Sequence, residues 1–201
     1  QVNRKHGIAV SSGTAALDVA IEALNIGPGG EVILPTFTII SCIGQIVRSG
    51  AKPVLIDSDP ITWNMDVSQI EGKITARTKA IMVVHTFGLP VDLDPVLAIA
   101  KRRGLKVIED AAQGLGSLYK GKMAGTFGIS GTYSFYPAKV LGCFGDAGAV
   151  ICNDKEIYER IIRIRDHGRD PISGEVVMWG RNSRLDNLQA AFLKFQLQSY
   201  D

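Results

Sequence analysis

The feature that most constrains this chain is the regular return of short, β-branched apolar runs with helix-like stretches between them. Residues 7–10, 31–34, 53–56, 80–84 and 106–108 are each rich in Val and Ile. The stretches between them, 15–24, 38–48, 67–74 and 95–103, carry apolar residues at helical spacing. Near-continuous apolar strands alternating with helices predict a mainly parallel sheet with helices on both faces, an α/β fold. At 201 residues, 46% apolar, the chain can bury one large core. In sheets of this kind ligands gather beyond the carboxyl ends of the strands. The stretches just past those ends are therefore the first to inspect: Ser11 to Thr14, residues 35–37, Asp57, residues 85–88 and residues 109–113.

The second half reads differently. Residues 132–135 and 147–152 are strand-like, and the link between them is too short for a crossover, which predicts an antiparallel pair. Lys155–Arg165 and residues 187–200 read as amphipathic helices. Tyr119 to Lys122 reads as a turn between short strands. The same region imitates a phosphate loop, Gly116 to Lys122. Met123 stands where a magnesium-binding Ser or Thr belongs, and no clear strand precedes it, so that reading is rejected.

Several function classes drop out on composition. The net charge is +2 with no basic run, which gives no case for nucleic acid or an anionic membrane surface. Three widely spaced cysteines offer neither a disulfide framework nor a metal site, and fit a reducing cytoplasm. No apolar run approaches a membrane span. The polar start, and a last helix that breaks off at Tyr200-Asp201, lead us to expect a piece of a longer protein.

Three features carry chemistry. Lys139 lies among small and apolar residues after Pro137, where burial favours a neutral, nucleophilic amine over a solvated ammonium. A surface lysine after a proline turn is the plain alternative. Ser12-Gly13-Thr14 separates a strand from a helix, so its backbone N–H groups and the helix dipole suit an anion; simple N-capping explains the same residues. Asp110 follows a buried strand and needs a partner there, either a protonated ring nitrogen or its own next turn. In that order, an anion turn, an aspartate and a lysine are the parts that a pyridoxal 5'-phosphate enzyme requires.

The motifs Ser12-Gly13-Thr14, Pro35-Thr36-Phe37-Thr38, Glu109-Asp110-Ala111-Ala112-Gln113, Ser134-Phe135-Tyr136-Pro137-Ala138-Lys139 with Gly145 to Gly148, and Asn182 to Ala191 run across nearly the whole chain. Together they resemble the DegT/DnrJ/EryC1/StrS aminotransferases. The resemblance implies the large domain of a fold-type I pyridoxal phosphate transferase over residues 1–185. Residues 186–201 would begin the helix leading to a small C-terminal domain. It implies that Lys139 is the Schiff-base lysine and proton shuttle and that Asp110 pairs with the pyridinium. Gln113 would lie close to the ring, and Gly13, Thr14 and Ser134 would contact the phosphate, with Ser12 beside them. Asn182 would reach the phosphate of a neighbouring subunit, making the site a property of a homodimer. Ile39 stands where many members place an aromatic ring over the cofactor, and would pack on it by dispersion alone.

The implied reaction moves an amino group from glutamate to the C3 or C4 ketone of a nucleotide-linked sugar, with a lean toward C3. Its product would serve a surface polysaccharide or a secondary metabolite. A non-catalytic regulatory relative is the rival from another class. A lyase or desulfurase of the same fold is a third reading, against which the Asn182 to Ala191 signature weighs. His85, Cys143, Asp146, His167 and Arg184 are secondary candidates near the site.

Overall fold

The computed structural model describes residues 2–200. The elements run β1 (His6–Val10), α1 (Gly13–Ala23), β2 (Glu31–Pro35), α2 (Ile40–Arg48), β3 (Lys52–Ile56), α3 (Ile70–Lys73), β4 (Thr78–Val84), α4 (Leu93–Arg103) and β5 (Lys106–Asp110). There follow β6 (Leu118–Tyr119), β7 (Lys122–Met123), β8 (Ser130–Ser134), β9 (Gly148–Cys152), α5 (Lys155–Arg165) and α6 (Asn187–Gln196). One sheet holds seven strands in the order β1-β9-β8-β5-β4-β2-β3. The pairs β2/β3, β2/β4, β4/β5 and β5/β8 are parallel, and β9 runs against both β8 and β1. The expected antiparallel strand is thus present. Six strands deliver their carboxyl ends to one edge of the molecule, where β9 begins.

Strand alternation sorts the core into two layers. Val32, Leu34, Ala80, Met82, Val84 and Ile108 face α1 and α2, packing on Leu17, Ile21, Cys42 and Ile46. Their neighbours Ile33, Ile81, Val83 and Val107 face the opposite side and pack on Ile70, Leu93, Val96 and Ile99 of α3 and α4. Every residue of β2 is buried, as expected of a strand covered on both faces. A third cluster joins β1 and β9 to α1 and α5 through Ile8, Val10, Val150, Ile157, Ile161 and Ile164.

Element ends differ from the sequence expectations for local reasons. The second helix starts at Ile40, because Ile39 is an extended N-cap (φ −63°, ψ 139°). Helix α4 starts at Leu93, so Pro95 sits in its first turn, where a missing N–H costs nothing. The stretch 67–74 divides into a 3₁₀ turn, Val67–Gln69, and the single-turn α3. The last helix ends at Gln196 and tightens into a 3₁₀ turn. The strand β5 runs on through Asp110, which pairs with Val84 and Thr132, so this aspartate belongs to the strand itself. Lys120 and Gly121 both have positive φ, 49° and 77°, which suits the tight turn between β6 and β7.

Ile46 of α2 is fully buried against the sheet. Ile46→Ala removes that contact and is expected to lower stability by about 2–5 kcal/mol, read by urea denaturation.

Candidate active site

The carboxyl ends of β1, β2, β4, β5 and β8 surround a cavity of about 500 Å³. Ser12, Gly13 and Thr14 enter it from the β1–α1 turn, and Ile39 from the start of α2. Asp110, Gln113, Ser134 and Lys139 complete the set of sequence-predicted residues that line it. Asn182 is the exception. It is exposed and bridges to Asp166, on the segment after α5, outside this cavity.

The β1–α1 turn is shaped by close approach. Ser12 caps α1, its hydroxyl accepting the Ala15 N–H at 2.9 Å. The amides of Gly13 and Thr14 lie in the first helical turn and have no intrahelical acceptor. A Cβ on Gly13 would sit 2.6 Å from the Cβ of Ser134, so only glycine lets the turn approach the end of β8. Gly148, at the start of β9, has the Ser12 carbonyl where its own Cβ would be. The Thr14 hydroxyl lies 3.0 Å from that of Ser41, tying α1 to α2. Two amides without a partner among the described residues, together with the Ser134 hydroxyl, make a helix N-terminus suited to an anion.

Period-two alternation sends the adjacent carboxylates of β5 to opposite faces. Asp110 points toward α2 and the cavity, only 3% exposed. Its Oδ1 accepts the Ala112 N–H at 2.9 Å, and its Oδ2 accepts the Cys42 thiol at 3.0 Å. Among the described residues no ion pair neutralises it, so its charge is open to a cationic ligand group in the cavity. Glu109, fully buried, faces the other way and is well satisfied. Its Oε1 accepts the N–H groups of Phe127 and Gly128, and its Oε2 those of Gly125 and His85. The tautomer of His85 follows from Val91, whose N–H donates to Nδ1 at 3.2 Å, leaving Nε2 to donate to Glu109. Burial pulls Glu109 upward, but the His85 bond and the loop amides outweigh it and hold the carboxyl below its ordinary range. His85 is thus a satisfied core histidine.

Other expectations change. Lys139 is only partly buried, on a turn in which its N–H bonds the Tyr136 carbonyl, with Tyr136, Pro137, Ala138 and Val140 exposed around it. Its apolar neighbours in sequence face outward and do not enclose it. Ile39 is 61% exposed at the cavity mouth. The Gln113 side-chain oxygen accepts the Phe87 N–H at 2.9 Å, which ties β5's following turn to the loop after β4. Arg184 pairs with Asp166, and neither it nor His167 lines the cavity. Cys143 bonds the Gln189 carbonyl at 3.8 Å, and Asp57 the next amide in its own turn. Asp146 does line the cavity.

Sequence reasoning missed an aromatic mouth. Phe37 lies 5.3 Å from Trp63 and 6.0 Å from Phe87, ring centre to ring centre. Phe37 and Phe87 fall within the strand-end stretches already singled out, whereas Trp63 comes from the connection after β3 and carries no local signal. Cys42 was also missed as a partner of Asp110.

A phosphate cradle, an unneutralised buried carboxylate and a lysine around one cavity fit pyridoxal phosphate, which carries an anion, a basic ring nitrogen and an aldehyde. The family model for the DegT/DnrJ/EryC1/StrS aminotransferase family matches residues 1–201. The chain belongs to that family. A "Pleiotropic regulatory protein" of Geobacillus stearothermophilus is 48% identical over 197 residues, covering 98% of this chain and 53% of that protein. The "dTDP-3-amino-3,6-dideoxy-alpha-D-galactopyranose transaminase" of Aneurinibacillus thermoaerophilus is also 48% identical over 197 residues, covering 98% and 54%. S. venezuelae DesV, solved in complex with a ketimine intermediate, superposes with a TM-score of 0.95 at 40% identity, covering all of this chain and 54% of that one. The chain therefore spans about half the length of the curated relatives it matches.

Glu109→Gln is expected to destabilise the fold by about 2–3 kcal/mol at neutral pH, because a side-chain NH2 then faces N–H donors that the carboxylate accepted. The depressed carboxyl contributes stability above the unfolded glutamate value, about 4.3, and loses it as pH falls through the lower folded value. The gap between wild type and variant in denaturation midpoint should therefore narrow below about pH 4.

Proposed function

We propose that this chain is the cofactor-binding part of a pyridoxal phosphate-dependent aminotransferase that carries an amino group from glutamate to a nucleotide-linked keto sugar. The observation that carries the reading is the convergence of the Gly13/Thr14/Ser134 cradle, Asp110 and Lys139 on one cavity. The cofactor, when bound, supplies an electron sink for a carbanion at the amine-bearing carbon. The amides of Gly13 and Thr14 and the Ser134 hydroxyl would hold its phosphate. Asp110 would keep its ring nitrogen protonated. Lys139 would anchor it through Nζ, and the freed amine would carry a proton from the substrate carbon to the cofactor in the first half-reaction and in the opposite direction in the second. Gln113 and Ile39 would lie beside the ring.

Asn182 acts across a homodimer, which is why it lies outside its own chain's cavity in this reading. The exposed Leu188 and Phe195 of α6 fit a helix continuing into a small domain, with residues 186–201 as its start. The printed name of the 48% identical transaminase supports amination at C3. Three free cysteines suit a reducing cytoplasm. A second reading, a regulatory protein that kept the fold, rests on the equally similar relative named for regulation. The complete constellation around Lys139 favours catalysis over it.

Full-length protein with pyridoxal phosphate should turn yellow, and glutamate should bleach the colour with release of 2-oxoglutarate. Lys139→Ala should abolish both. Wild-type protein that stays colourless with added cofactor would overturn the reading, and colour without turnover of any 3-keto or 4-keto nucleotide sugar would favour the regulatory one. Mixing Lys139→Ala and Asn182→Ala subunits should restore activity to about a quarter of wild type, since half the dimers then hold one intact shared site. No recovery on mixing would remove Asn182 from the partner's site.

A further inference from the structure

The Asp110 carboxylate is held from behind by a group that does not line the cavity. Cys42 is fully buried in α2 and packs in the layer between that helix and the sheet. Its thiol meets Asp110 Oδ2 at 3.0 Å, and its sulfur accepts the Thr38 hydroxyl at 3.2 Å, one turn earlier in the chain. A carboxylate only accepts, so the thiol must donate, and the order of donation is Thr38 to Cys42 to Asp110. Burial, and then the Asp110 charge, push the Cys42 thiol up, so it keeps its proton and remains a donor.

We propose that Cys42, backed by Thr38, is a positioning residue that fixes the rotamer of Asp110 and sets how strongly Asp110 holds the ring nitrogen of a bound pyridine cofactor. The inference rests on the proposed function and deepens it. Among the described residues Asp110 is otherwise tied only by the Ala112 N–H on Oδ1, within its own turn. The bond to Oδ2 comes from a different element, so the two together leave the carboxylate one orientation. The chemistry of the donor matters as well. A thiol is a weak donor and draws little charge from the oxygen. It orients the carboxylate while leaving its lone pairs available toward the cavity, where a hydroxyl in its place would compete harder for the same oxygen. Thr38 donates to the sulfur and polarises the S–H, so the chain of bonds strengthens itself modestly. The helix that carries Cys42 also carries Ser41, bonded to Thr14 of the anion cradle. Helix α2 thereby links the phosphate end and the ring-nitrogen end of the cavity through adjacent residues.

The test uses full-length protein and four variants, Cys42→Ser, Cys42→Val, Thr38→Val and Asp110→Asn. In protein without cofactor, the infrared S–H stretch assigned by its loss in Cys42→Ser should lie at low frequency and rise in Asp110→Asn. An unmoved band would overturn the proposal without altering Cys42. With pyridoxal phosphate labelled with ¹⁵N in the ring, Cys42→Val should weaken binding by about tenfold and lower the pH at which the ring nitrogen loses its proton. Cys42→Ser should restore the binding but still lower that pH, because its stronger donor draws charge from Asp110. Thr38→Val, which leaves the thiol a weaker donor, should weaken binding as Cys42→Val does but by less. If Cys42→Val and Cys42→Ser both bind and titrate as wild type, the proposal fails. Failure of wild-type protein to bind the cofactor would instead strike at the proposed function, since the S–H band is read without it. Should Cys42→Val not fold, Cys42→Ser and the Asp110→Asn band still decide the matter.

Discussion

Two ionisable carboxylates lie side by side at the end of β5 with almost no access to water, and the rest of the site depends on how each is satisfied. Burying such a charge unpaired costs several kcal/mol. The sheet resolves the conflict by alternation. Glu109 turns to the face away from α2, where His85 and three loop amides meet it. Asp110 turns to the face that holds the cavity, with one amide and one thiol. One carboxylate is used to build the scaffold, and its neighbour is left partly unspent. That difference in satisfaction, three loop amides on one side and a weak donor on the other, leaves Glu109 spent on the scaffold and Asp110 facing the cavity.

The scaffold and the site are coupled through the same atoms. By gathering the amides of Gly125, Phe127 and Gly128, Glu109 fixes the segment that leads into β8, whose last residue is Ser134. Through His85 it also fixes the loop after β4, since the imidazole holds the Val91 N–H. Phe87 on that loop, with φ of 53°, bonds Gln113 from the turn after β5. The cavity wall is thus a closed set of loops braced on one buried anion.

Much of this was legible in the residues. Strand alternation with helices gave the parallel sheet, and the rule that ligands gather at carboxyl ends pointed, apart from Asp57, to stretches that line the cavity. The short link between β8 and β9 foretold their antiparallel pairing. What escaped was whatever depends on two elements meeting. Cys42 and Asp110 are 68 residues apart and nothing local joins them. Trp63 meets Phe37 of the cavity wall from a loop with no pattern of its own. Lys139 shows a third limit: apolar neighbours in sequence suggested burial, but Tyr136, Ala138 and Val140 are exposed, and composition does not report direction. Asn182 could be assigned a role only through family resemblance, since its own chain gives it no place in the cavity.

The reversed direction of β9 has a mechanical consequence. Ser134 and Gly148 are paired across neighbouring strands, and Phe135 N–H bonds the Ala147 carbonyl just beyond them. The whole segment that carries Lys139 therefore leaves and re-enters the sheet at the same place. It is a flap closed along one short edge and tied on its far side to α6, through the Cys143 thiol on the Gln189 carbonyl and Phe144 on Phe192. Residues added to or removed from the flap would alter how far the amine reaches while the registers of β8 and β9, and with them Ser134 and the glycine contact at Gly13, stay as they are.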